Sequence, residues 1–138
     1  MDSFAAYAPA LASVAIFAVV VMLFSPLSAI QKGKQGLAPG AEPAADYSDL
    51  AYRLHRVFEN GTDTMSFFVA TAGVAILAGA SPFWINLLAG LTLASRLIMI
   101  FLHVAAVGNP HNGPRSFAYV GGWFCMLVMA ILGLVALL

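Results

Sequence analysis

The chain has 138 residues, 62% of them apolar and 9% charged, with a formal net charge of zero. An average soluble domain is about half apolar and about a quarter charged, so in water this chain would expose large oily surfaces, and the bilayer is its natural solvent. Zero net charge leaves no basic footprint for nucleic acid, and the single cysteine, Cys125, allows no internal disulfide and has no nearby partners for zinc.

Four runs contain no Asp, Glu, Lys or Arg: residues 3–31, 64–95, 97–114 and 116–138. A spanning helix needs roughly 20 apolar residues. The first run predicts a span over about 8–30. It is not read as a signal peptide, because its first charge is Asp2 and it has no basic leading region. Residues 31–45 then form the one substantial loop, rich in Gly, Pro and Ala and carrying Lys32 and Lys34. The second helix is expected over about 46–78, with Asp46 or Ser48 as its N-cap. That is longer than one crossing, so its first turns project into the interfacial region. The "GASPF" stretch, residues 79–83, breaks the chain. A third span follows over about 84–107. The turn-rich "GNPHNGP" loop contains His111, and a last span covers about 117–137. The predicted fold class is an all-α integral membrane protein, a single four-transmembrane-helix bundle over residues 1–138. The few Lys and Arg residues near span ends place the first and third loops in the cytoplasm and both termini outside. Ala-rich spans and short loops point to a bacterial inner membrane.

The second helix concentrates charge. Asp46, Asp49, Arg53, Arg56, Asn60 and Asp63 recur at steps of 3, 4, 3, 4 and 3 residues, which is one face of a helix. Asp49 is spaced to pair with Arg53, and His55 with Glu59. Charge inside a bilayer costs several kcal/mol unless it is paired or hydrated, so this face must meet other helices, other subunits or a water-filled cavity. Arg96 falls halfway along the third helix, with His103 seven residues later on the same face, and Arg115 opens the fourth. Arginine stays charged at any usual pH, so four guanidiniums aimed at a bundle interior either form salt bridges that fix packing or call for an anionic ligand. Asn60-Gly61-Thr62 fits the glycosylation sequon, but its expected place on the polar face near the cytoplasm argues against that use. No Cys/His/carboxylate cluster has metal-ligand spacing, and no phosphate loop or nucleophile elbow occurs.

The pattern Arg53-x2-Arg56-x3-Asn60-x2-Asp63 resembles the helix-two signature of the membrane-associated proteins in eicosanoid and glutathione metabolism, the family of the microsomal glutathione transferases. The family usually has Glu where this chain has Asp63. A mid-helix arginine, Arg96, and the "RSFAY" block of residues 115–119 are similar to the family's third and fourth helices. The resemblance covers nearly the whole chain, weakly at the first helix. It implies a homotrimer of four-helix bundles holding glutathione, a co-substrate, between neighbouring subunits near the cytoplasmic face. Position by position it implies that Arg56, Asn60 and Asp63 bind the glutathione backbone and its charged ends. Arg53 becomes a structural or binding arginine at the trimer centre. Arg115 holds the thiol as thiolate, with Ser116 near the sulfur and Tyr119 in the same pocket. Arg96 and His103 complete the candidate binding set.

An unperturbed thiol has a pKa of about 8.5, so a guanidinium beside the sulfur favours the nucleophilic form. The implied activity is a glutathione-dependent transferase or peroxidase acting on hydrophobic electrophiles dissolved in the bilayer. Three departures point the other way. Met99 and His103 stand where glutathione-binding members carry tyrosines, or a histidine then a tyrosine. Thr64 stands where the leukotriene-C synthase branch has tyrosine. The loop before Arg115 is longer than in animal members. The alternative reading is a non-catalytic scaffold or accessory subunit of a larger membrane complex. A small transporter or channel is a third reading.

Overall fold

The computed structural model describes residues 2–108 and 113–138. His111 lies outside them. After a single N-terminal helical turn, Asp2–Ala5, the chain forms four long helices. We call them α1 (Ala8–Lys34), α2 (Leu50–Leu77), α3 (Pro82–Val104) and α4 (Pro114–Leu137).

Among the described residues, α1, α3 and α4 are long and apolar enough to cross a membrane. Helix α2 is 28 residues long, but its first half carries the charges. It packs against all three others, and so belongs to the same bundle. Many large apolar side chains point outward, including Met22, Leu77, Phe83, Phe101, Phe117 and Leu134. That surface suits acyl chains and would be a liability in water. Inside, Phe17 of α1 and Phe68 of α2 meet at 6.2 Å between ring centroids, and Ile85, Met126 and Met129 fill the space around them.

Small residues set how closely the helices approach. A Cβ on Gly133 of α4 would fall 3.1 Å from Ala75 Cα of α2, and a Cβ on Gly61 of α2 would fall 2.7 Å from Val21 Cγ2 of α1. The "GASPF" break is a helix stop followed by a helix start. Gly79 takes φ +73, its N–H donates to Ile76 O, and the Ala80 N–H donates to Ala75 O, the paired bonds of a Schellman ending. Pro82 then occupies the first turn of α3, where its missing N–H costs nothing. Helix α3 closes with the same pair of bonds, but the left-handed position there is held by Ala106, at φ 55.

Cross-links between helix ends show that successive helices run antiparallel. At one end the Tyr7 hydroxyl donates to Ala80 O, Ala10 N donates to Asn86 Oδ1 at 3.1 Å, and Asn86 Nδ2 donates to Ala6 O at 2.8 Å. At the other end Gln35 Nε2 donates to Asp49 Oδ2 at 2.8 Å.

Three local expectations are corrected here. Lys32 and Lys34 are not in the loop but in the last turn of α1, where Lys32 is buried and its Nζ donates to Pro39 O at 3.2 Å. The N-cap of α2 is Asp49, which accepts from Ala51 N at 3.0 Å, not Asp46 or Ser48. Asp46 is occupied instead by the Ser48 amide and hydroxyl, both at 2.8 Å. That local bracket competes with helix formation and delays the helix start to Leu50. The expected Asp49–Arg53 pair does not form. Arg53 Nη1 donates to Tyr47 O at 2.7 Å and Ser48 O at 2.8 Å, two carbonyls that precede the Asp49 N-cap and lie outside the helical ladder.

Candidate functional site

The antiparallel arrangement brings the N-terminal turns of α2 and α4 beside the C-terminal turns of α3. Between them lies a cleft of about 220 Å³. Helix α2 contributes Arg56 and Asn60, α3 contributes Met99 and His103, and α4 contributes Arg115, Ser116, Tyr119 and Val120. Tyr47 closes it from the segment before α2. Six of the nine residues singled out from the sequence therefore share one cavity. Arg53, Asp63 and Arg96 do not line it.

The cleft is cationic for a specific reason. Arg115 is buried, yet among the described residues it forms no ion pair, and its guanidinium carbon sits 4.5 Å from the centroid of the Tyr47 ring. Just behind the cleft Arg96 repeats the arrangement. It is fully buried, 4.5 Å from the Tyr119 ring, and donates through Nη2 to Tyr119 O at 3.3 Å. Its Nη1 lies 3.8 Å from Met99 Sδ, and its Nε has no partner. Gly122 makes room for this side chain, since a Cβ there would fall 3.1 Å from Arg96 Nε. Tyrosine faces hold both cations by cation–π attraction. Neither charge is cancelled.

Arg56 differs. It is half-exposed and pairs with Glu59 at 2.9 Å. The expected His55–Glu59 approach is present at 3.2 Å, but the imidazole nitrogen is not aligned to hydrogen-bond. His103 is buried and its Nδ1 lies 3.3 Å from Met99 O, one turn earlier in α3. Ser95 beside Arg96 donates its hydroxyl to Ala118 O, which locks α3 to α4 behind the cleft.

Asp63 is exposed on α2, three residues beyond Asn60, and Thr62 and Ser66 are exposed next to it. Outside the helices, the Ser48 hydroxyl and then its amide hold the Asp46 carboxyl below the usual carboxylate range.

Sequence reasoning missed Tyr47. It precedes the helix and belongs to no periodic face, so its part depends on α4 returning beside it. The available signal was its place in "DYSD", between two acids suited to turns and caps.

No curated protein matches the chain, and no solved structure does. A family model does match: that of the MAPEG family, over residues 9–135. That span is nearly the whole chain and includes all four long helices but for their outermost residues. The chain belongs to the MAPEG family.

Proposed function

We propose that the cleft is the glutathione site of a membrane-bound glutathione-dependent transferase acting on hydrophobic electrophiles. The observation that carries this reading is Arg115, a buried guanidinium at the cleft wall with a neutral ring for a neighbour and no carboxylate. An uncompensated cation is costly in a membrane protein unless an anion is to be bound there. A thiolate is such an anion.

The roles follow from placement. Arg115 stabilises the sulfur as thiolate, and the Ser116 hydroxyl and Tyr119 stand on the same wall. Arg56 and Asn60, across the cleft on α2, suit a carboxylate and an amide of the peptide. His103 occupies the α3 wall and offers a hydrogen bond where Met99 cannot. The sulfur lone pair forms a bond to the electrophilic carbon while the leaving group departs with its bonding pair. The thiol proton has already gone to water.

Three copies of the chain complete the site in this reading, and two features support a neighbouring subunit. The cleft's volume is below the roughly 300–1,000 Å³ of small-molecule sites. Exposed Asp63, Thr62 and Ser66 need a protein cover if α2 is the fourth span. In the assembly Asp63 reaches the peptide's ammonium and Arg53 sits towards the trimer centre. The bundle lies in a bacterial inner membrane with both termini outside and the cleft at the cytoplasmic face.

The test is conjugation of glutathione to an apolar aryl halide in proteoliposomes. Wild-type turnover that is lost in Arg115→Leu supports the reading. Equal turnover in the two removes Arg115 from the mechanism. Met99 favours a second reading. Its thioether replaces a hydrogen-bonding side chain on the cleft wall, as in a subunit that keeps the fold as a scaffold. A folded wild type that does not bind glutathione would select that one.

A further inference from the structure

Tyr47 joins two arginines of different helices. Arg53, the first arginine of the α2 stripe, donates through Nη1 to the carbonyls of Tyr47 at 2.7 Å and Ser48 at 2.8 Å. Those bonds fix the backbone that carries the Tyr47 ring. The Asp46–Ser48 bracket spans the same residue from the other side, and Tyr52, in the first turn of α2, meets the ring edge-on at 5.1 Å between centroids. The ring in turn lies under the Arg115 guanidinium at 4.5 Å.

We propose that Arg53 and Tyr47 are positioning residues, which aim the Arg115 guanidinium into the cleft without neutralising it. The role rests on the glutathione reading above. A carboxylate in the place of Tyr47 would hold Arg115 more tightly, but would consume the charge that the ligand needs. A ring face attracts the cation through its quadrupole and leaves the N–H donors for an incoming anion. Arg53 therefore acts on the thiol at second hand, through a backbone and a ring. This explains why it stands in the stripe yet does not line the cavity.

The experiment measures the pH midpoint at which bound glutathione ionises, by the ultraviolet absorbance of its thiolate in detergent at saturating ligand. Binding itself is followed by equilibrium dialysis of the wild type and each variant. Tyr47→Leu and Arg53→Gln are each expected to raise the midpoint by about one pKa unit. The double variant should rise no further than either single, because both act on one contact. Tyr47→Phe, which keeps the ring face, should hold the wild-type midpoint, which shows that the ring rather than the hydroxyl sets it. Tyr47→Glu should raise the midpoint most, and it stands in should Tyr47→Leu not fold.

An unchanged midpoint in Tyr47→Leu or Tyr47→Glu with glutathione still bound overturns the proposal and leaves the glutathione reading intact. Additive shifts in the double variant overturn the relay. No dialysis signal in the wild type overturns the glutathione reading, and this role falls with it.

Discussion

At the end of the bundle where α1 starts and α2 stops, polar side chains are answered by backbone. Asn86 caps Ala10 N and Ala6 O, the Tyr7 hydroxyl reaches Ala80 O, and Gly133 lets α4 lie against the Ala75 backbone. At the other end, where α2 and α4 start, Arg96 and Arg115 are buried against tyrosine rings with their charge uncancelled. Both ends use the same apolar helices. The first spends its polar groups on holding the fold together, and the second does so as well with Arg53 and Arg96 but leaves Arg115 at the cleft wall without a carboxylate. A residue's chemistry alone does not distinguish structural from functional charge. Whether a partner answers it does.

Mutations at the two ends should therefore separate stability from binding. The largest effect is expected at the closed end. Gly133→Val places a branched side chain against Ala75 backbone that has nowhere to move, and should lower stability by about 3 kcal/mol. Chemical unfolding in detergent reads this, and the folded fraction should still bind glutathione. A variant as stable as the wild type would show that the two helices can part cheaply.

Arg115→Leu should do the opposite. It removes a buried charge that has no carboxylate, so the fold should keep its stability to within about 1 kcal/mol. At about 100 times the dissociation constant, ligand stabilises a protein by about 2.7 kcal/mol, and the variant should lose most of that. A strongly destabilised Arg115→Leu would move this arginine to the structural class and blur the comparison.

Asn86→Leu removes both caps at the start of α1 and should cost about 2 kcal/mol, read by thermal unfolding, with no change in glutathione affinity. The smallest effect is a gain. Ala106 adopts a left-handed conformation that costs an L-residue about 1 kcal/mol, so Ala106→Gly should raise stability by about that amount. An unchanged melting temperature would mean that glycine's extra freedom in the unfolded chain offsets the relief.

Much of this was legible in the sequence. Charge-free runs and the "GASPF" break were enough to count the helices, because the hydrophobic requirement of a bilayer is coarse and additive. The 3-4 spacing put Arg56 and Asn60 on one face of α2, and Arg115 stood out as the charge that opens α4, whereas Ser116 and Tyr119 were singled out only by the family resemblance. Details at helix ends were not legible. Asp46, Ser48 and Asp49 are all capable caps, and the choice among them depends on the competing turn that Asp46 makes with Ser48. Arg53 had Asp49 at an ideal helical spacing but took carbonyls instead, since Asp49 was already occupied by Ala51 N and Gln35. Tyr47 was invisible because its partner is 68 residues away in the sequence. Arg96 was legible as a buried charge. That it sits behind the cleft rather than in it depended on Gly122, whose lack of a side chain lets the guanidinium turn towards Tyr119.

The most direct test of the account is the thermal stability of the purified protein in detergent across a glutathione titration, run in parallel on wild type and Arg115→Leu. The account predicts that the wild-type melting temperature climbs with the logarithm of ligand concentration once the site is filled, while Arg115→Leu shifts far less over the same titration. A wild type that never shifts, or two proteins that shift alike, would contradict the claim that the uncancelled charge at the cleft is there for this ligand.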